Sequence, residues 1–457
     1  MAYCTKRLWA FIVILCTATG CSNRLPAEPL EKRLGYTSEM RIQYQVEESW
    51  WVIYKDEQLN GLISTALQNN LDYAQSAVRI NRAMYQANSI GVDLLPKFTA
   101  VSETSSTQDI HSGTSERRFS SEFSVSYEVD LWRKLSDSAA AKKWEYEATV
   151  EDRAAAKLAL INNVVDVYFS LAYLDMALKI TRQNIANYEK ILEIITAKYQ
   201  YGKISGLEPE QAAQSLLAAK NNLIDFEVQQ QSGLQNLRIL LNLEPAAPLE
   251  IIYPDILSVQ VPEVNLDIPL AVLANRPDLK AAQYRLQSAF KNVQAAQKAW
   301  FPQITLGAAI GSESNSHNTM FDMPFVSSFA KITLPFLQWN MIKWNIKISE
   351  AEYDEVKLNL EKVLNSALNE LNLAFFQYRK AEETYQNIFR KHEHDVRISQ
   401  YYRVRYDSGA SELSDWLNSL NTAAGSQLDM LKNRYLVIKY ENVIYKSIAG
   451  RYTHDTN

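Results

Sequence analysis

The sequence predicts a membrane protein of mixed class, in which long α-helices join short strands that close a β-barrel only when several copies assemble. Three observations lead there. The first is an internal two-fold repeat. Shifted by 206 positions, Asp72 falls on Asp278, Arg79 on Arg285 and Pro96 on Pro302; shifted by 207, Trp132 falls on Trp339, Tyr199 on Tyr406, Gly202 on Gly409 and Glu208 on Asp415. A period this long marks a duplicated unit and not a solenoid. The second is the absence of helix breakers. No glycine lies between Gly113 and Gly202 or between Gly311 and Gly409, and no proline between Pro96 and Pro209. Each half can therefore hold one helix of about 65 residues, roughly 100 Å long at ~1.5 Å per residue. The third is alternation: Phe119, Ser121, Phe123, Val125, Tyr127 and Val129 point one way, and Ser120, Glu122, Ser124, Ser126 and Glu128 the other, the period of a strand with one apolar and one polar face.

Taken in order, residues 1–20 read as an export signal, with Lys6 and Arg7 ahead of the apolar run Leu8 to Cys16. Ala18-Thr19-Gly20 before Cys21 resembles a bacterial lipoprotein cleavage box, which makes Cys21 the acylated first residue of the mature chain; Ala18 stands where leucine is usual. Cys4 and Cys16 leave with the signal, so the mature chain keeps a single cysteine and has neither a disulfide framework nor a thiolate metal site. Losing Lys6 and Arg7 takes the net charge from −5 to −7, which gives no argument for nucleic acid. No later stretch has 18 consecutive apolar residues, so entry into a membrane requires a closed barrel.

Residues 21–50, with Pro26 and Pro29, read as a tether. The first repeat, 51–245, begins with a helix ended by Pro96, then strands at about 97–107 and 119–130, a long helix at about 132–201 and a return helix at about 208–241. Five prolines from 245 to 269 mark an irregular linker over 246–267. The second repeat, 268–450, gives a helix from Pro277 to Trp300, strands at about 303–311 and 325–336, a long helix at about 339–406 and a return helix at about 413–450, with 451–457 as a tail. Pro335 suits the end of a strand or a bend. The two shorter helices of each half, at about 35 residues each, laid end to end match one long helix, as a cylindrical wall of antiparallel helices needs.

Strands of about 10 residues match a bilayer's span, but four cannot close a barrel, for which eight is about the minimum. The chain must oligomerise, and a trimer gives twelve strands.

Several motifs now stand in order: Ser126-Tyr127-Glu128-Val129-Asp130-Leu131-Trp132, Tyr199-x-x-Gly202 through Glu208, Leu273-Ala274-Asn275-Arg276-Pro277-Asp278-Leu279, Phe301-Pro302, Leu334-Pro335-Phe336, and Tyr406-x-x-Gly409 through Asp415. Together they resemble the TolC family of outer-membrane efflux channels, in its lipoprotein branch of OprM- and NodT-like proteins. The resemblance implies a homotrimer whose twelve-stranded barrel in outer-membrane lipid continues into a long periplasmic helical barrel. It also implies docking to a periplasmic adaptor and an inner-membrane pump of the RND or ABC type. Three departures touch the strand-to-helix transition and the first helix of the second repeat: Arg133 stands where the family has glycine, Gln338-Trp339-Asn340 replaces a small, glycine-rich turn, and Gln283 replaces a glutamate.

By the same resemblance an acid at Asp415 lines the periplasmic entrance, and Glu208 is its repeat equivalent. Asn418 replaces the family's second acid and Ser411 an arginine that helps lock some members shut, which makes for a weaker acidic ring. Both acids also suit helix N-termini. Gly202 and Gly409 form the repeat turns, Tyr199 and Tyr406 pack or hydrogen-bond near them, and Trp132 and Trp339 mark the barrel's interface with water. Arg276-Pro277-Asp278 reads as a helix start.

Catalysis, cofactors and resident metals find no support: His392 and His394, two apart on a helix, face different sides, and no glycine-rich phosphate loop occurs. Met320 and Met323 read as loop residues, with a soft-metal role the alternative. The expected function is a passive exit duct for small molecules such as drugs, toxic compounds or metal ions. The alternatives are the same channel serving type I protein secretion, and a lipid-anchored periplasmic coiled-coil scaffold without a pore.

Overall fold

The computed structural model describes residues 28–38, 40, 44–260, 264, 268–316 and 324–454; Cys21, Met320 and Met323 lie outside the described residues. In chain order the elements are α1 (Leu30–Leu34), β1 (Tyr44–Glu47), α2 (Glu57–Asn69), α3 (Leu71–Gly91), β2 (Lys97–Gln108), β3 (Ser115–Val129), α4 (Lys134–Gln200), α5 (Leu207–Leu241), α6 (Pro277–Lys298), β4 (Gln303–Ser314), β5 (Pro324–Thr333), α7 (Trp339–Asp407), α8 (Leu413–Ser447) and β6 (Arg451–His454). The chain divides into two compact units, each drawing on both halves of the sequence. Among the described residues one takes 28–29, 79–150 and 281–362, the other 30–78, 151–280 and 363–454.

In the first unit a four-stranded antiparallel sheet has the order β2-β3-β4-β5. Residues directly opposite in register share a face. Ala100, Phe123, Ile310 and Val326 align across the sheet, as do Phe98, Val125, Ala308 and Ser328. That face also holds Tyr127, Leu306 and Ile332 and is apolar. The other face carries Lys97, Glu103, Glu122, Glu128, Glu313 and Lys331, and on it Phe329 and Phe325 lie opposite Gly307 and Gly311. The rings cover the glycine backbones so closely that a Cβ on Gly307 would meet Phe329 at 2.4 Å. Glycine is what lets each ring lie flat there.

The helix α4 begins at Lys134, two residues later than the alternation alone suggested. Asp130 caps it, accepting from Leu135 N at 2.9 Å and Ser136 N at 2.8 Å. Arg133 makes the bend with a left-handed φ of 61°, the conformation that glycine adopts without strain. Asp137, buried in the first turn of α4, is gripped by Lys291 at 2.9 Å and by Lys298, both on α6.

In the second unit the core is built around α4. Val164, Val165, Tyr168, Phe169 and Leu171 are fully buried and pack in one cluster with Leu371 and Ala374 of α7 and with Val437, Ile438 and Ile444 of α8. By length and composition α4 could cross a membrane. Its residues Val164, Val165, Tyr168, Phe169 and Leu171, however, are packed inside the protein.

The sequence expectations need correction in five places. The stretch 21–50 is not all tether: Leu30 of α1 is buried and β1 pairs antiparallel with β6, in the stretch expected to be a tail. The first helix is interrupted. A 3-10 segment, Trp50–Tyr54, precedes α2, and Asn70 separates α2 from α3, its amide donating to Leu240 O at 3.0 Å and its Oδ1 capping Tyr73 N at 3.0 Å. The first helix of the second half, α6, starts at Pro277 as expected but ends at Lys298, before Trp300, and its 22 residues fall short of the length of about 35 given to the shorter helices. The strand β5 ends at Thr333, since Pro335 opens a 3-10 turn. The linker is irregular but anchored, with Ile256 fully buried and Gln58 bonded to Glu250 O and Ile252 N.

Candidate functional site

Two turns in the second unit carry the candidate entrance residues, and they share one geometry. At the end of α4, Gly202 N donates to Tyr199 O at 2.9 Å and Lys203 N to Lys198 O at 3.0 Å. At the end of α7, Gly409 N donates to Tyr406 O at 3.0 Å and Ala410 N to Arg405 O at 2.8 Å. Both are Schellman caps, with glycine left-handed at φ +68° and +75°. The Tyr-x-x-Gly spacing is therefore the spacing of the cap itself. A Cβ at Gly409 would touch nothing within 4 Å, so Gly409→Ala isolates the backbone term. It should cost about 1 kcal/mol and lower the melting midpoint in detergent.

The side chains knit the turns together. Lys198 Nζ donates to Tyr406 Oη at 3.3 Å and sits 4.7 Å over its ring, which stacks on Trp416 at 5.4 Å. Tyr199 lies against Gly206, whose added Cβ would be 3.6 Å from its ring. Arg405 donates to Tyr401 Oη at 2.9 Å and to Ala410 O at 2.8 Å, bracing the second turn. The hydrogen bond to Tyr401 is the main cause that raises the Arg405 pKa, with Asp415 a smaller one. The Ser205 hydroxyl donates to Glu208 and holds its carboxyl below the usual range. Beneath the turns, Ile191, Ile195, Leu216, Leu413 and Leu417 form a small core. Asp415 and Asn418 are exposed on the first turns of α8, and Glu208 is half-buried in the first turn of α5.

Lys198 and Arg405, unremarked in the sequence, are themselves repeat equivalents at the 207-residue shift, each just before its tyrosine. That shift could have found them. A cation in a helix's last turn is also favoured by the helix dipole.

In the first unit, Trp132 donates from Nε1 to Pro302 O at 2.9 Å and stacks on Phe301 at 4.7 Å, while Trp339 is exposed. The sheet's apolar face is open: Phe98 is 69% exposed, Val326 79% and Ile332 64%. An apolar sheet face backed by a polar one, with edge strands β2 and β5, suits contact with lipid on one side and water on the other. Among the described residues no group of three His, Cys, Asp or Glu side chains could hold a metal.

The sequence profile of the outer membrane efflux protein family matches residues 62–243 and 268–450. The chain belongs to that family. It is an outer-membrane protein of efflux, and the family is one of transport channels. Among its relatives, toxin and drug export protein A of Aggregatibacter actinomycetemcomitans is 41% identical over 450 residues, covering 98% of both chains. The pyoverdine export outer membrane protein OpmQ of Pseudomonas putida is 27% identical, covering 91% of each. In fold, the efflux protein resembles the crystal structure of CusC, with a TM-score of 0.82 at 22% identity over 89% of this chain and 95% of that one.

Proposed function

We propose that this efflux protein is the outer-membrane exit duct of a tripartite pump. The observation that carries the reading is the four-stranded sheet with one exposed apolar face, a polar face behind it and both edges at strand termini of the order, β2 and β5. Three copies pairing β5 of one with β2 of the next give twelve strands and bury the edges. Cys21 carries the lipid anchor, and Trp132 and Trp339 lie at the barrel's water interface. The helices form a periplasmic tunnel that docks to an adaptor and an inner-membrane RND-type or ABC pump. Its cargo is small molecules of the kinds its relatives' names give, drugs, toxins and cations. Energy comes from the inner-membrane partner.

The Gly202 and Gly409 turns form the periplasmic entrance, ringed by Glu208, Asp415 and Asn418 with Tyr199 and Tyr406 behind. Opening moves the helices next to these turns against contacts between protomers. Single-channel recording of the purified protein in a planar bilayer, with its mass in detergent, tests the duct. Discrete conductance steps from a trimer are expected; a monomer without conductance overturns the proposal. Three copies of both acids set six carboxylates around one aperture. Asp415→Ala should then lower cation over anion selectivity, and unchanged selectivity removes Asp415 from the constriction.

A further inference from the structure

In the second unit, away from the two turns, the chain builds a cavity of about 710 Å³ in whose lining the charged side chains, among the described residues, are Lys55, Arg434 and Arg451. The three come from well-separated parts of the chain, the end of the Trp50–Tyr54 segment, the middle of α8 and the start of β6. The remaining lining includes the aliphatic Ile53, Leu257 and Val259.

Two further observations concern how the cations are held. Lys55 is the left-handed C-cap of the Trp50–Tyr54 segment, with φ 51° and its N–H bonded to Val52 O at 3.0 Å, which fixes where its side chain starts. Arg434 is fixed from two sides, donating from one terminal nitrogen to Val259 O and lying 5.5 Å over the Tyr385 ring. Its Nε is buried and has no hydrogen-bond partner among the described residues, so a forked donor suited to two parallel bonds is half used there. Among the described residues, Arg451 is paired with Glu47 at 3.5 Å on the exposed edge, and Glu441 accepts from Tyr445 at 2.9 Å and Tyr54 at 3.2 Å.

We propose that this cavity binds a small organic anion, a carboxylate or phosphate carried on a short aliphatic group, with Lys55, Arg434 and Arg451 on the oxyanion and Ile53, Leu257 and Val259 around the apolar part. The site places a ligand between the N-terminal segment, the linker and the C-terminal strand.

The test is isothermal titration of the full-length protein in neutral detergent with monobutyl phosphate. Saturable binding is expected, weakened about tenfold by Lys55→Gln and by Arg451→Gln and unaffected by Lys380→Gln on the exposed face of α7. Lys55 and Arg451 lie at the rim, so these variants fold even if Arg434→Gln does not. Competition by inorganic phosphate would identify the free ion as a sufficient ligand; its failure to compete would identify an ester, free or on a lipid. No saturable heat with the unsubstituted protein, or affinity that Lys55→Gln and Arg451→Gln leave unchanged, overturns the proposal.

Discussion

Arg276→Ala is expected to cost the protein about 3–5 kcal/mol per protomer, the range for breaking a buried ion pair from one side. Arg276 is 8% exposed and spends its whole guanidinium on partners. It is bidentate to Asp278 at 3.0 and 2.8 Å, reaches Glu370 at 2.9 Å and donates to Ser447 O at 2.8 Å. Lys446 approaches the other oxygen of Glu370 at 3.1 Å. Burial pushes the Glu370 carboxyl up, but Arg276 and Lys446 more than offset it and hold its pKa below the usual range. A depressed carboxylate pKa stabilises the fold above its unfolded value and loses that contribution as pH falls through the folded one. Thermal melts should therefore show the large loss at pH 7 and a smaller one in acid, where the wild-type pair is itself failing. Equal loss at both pH values would mean that the residue acts by packing alone.

Glu441→Gln should flatten the stability of the protein between about pH 5 and pH 9. Glu441 is fully buried in α8. Burial pushes its pKa from 4.5 to about 8, in spite of the hydrogen bonds from Tyr445 and Tyr54 and the field of Arg434 and Arg451. The folded state thus keeps a proton that the unfolded chain releases above 4.5. Stability from this group is complete below that value and declines as pH rises to about 8, by an amount on the order of 3–5 kcal/mol per protomer. Glutamine preserves the shape and has no proton to lose. The melting midpoint of the wild type should fall with pH over this window, and that of the variant should not. Parallel curves would mean that Glu441 stays ionised in the folded protein.

What the sequence made legible is what depends on local chemistry. The absence of glycine and proline marked α4 and α7, alternation marked β3, and the shift by 207 found both caps before their geometry was known. The role of Arg276 was only half legible. Pro277 does open α6 as read, but the partners that make Arg276 a tie lie 94 and 171 positions away. The pairing of β1 with β6 was invisible for the same reason, two four-residue strands about 400 positions apart. The bend at the start of α4 was flagged only by the resemblance, which puts glycine at Arg133; arginine itself gives no local signal for a left-handed φ. At the turns, residue types and spacing were readable, whereas the Lys198–Tyr406 contact joins side chains 208 positions apart.

The seam between β3 and β4 imposes a schedule on biogenesis. Val129 and Ile304 face each other in register although 175 positions separate them. The hairpin β2–β3 can close within microseconds of leaving the export machinery, but its next neighbour arrives only after α4, α5, the linker and α6 have followed. Throughout that interval Phe98, Phe123 and Tyr127 stand on an uncovered apolar face and β3 has a bare edge, the kind of surface most prone to aggregate. Truncation anywhere between the two hairpins makes that exposure permanent, since the strand that covers the edge of β3 is then never made.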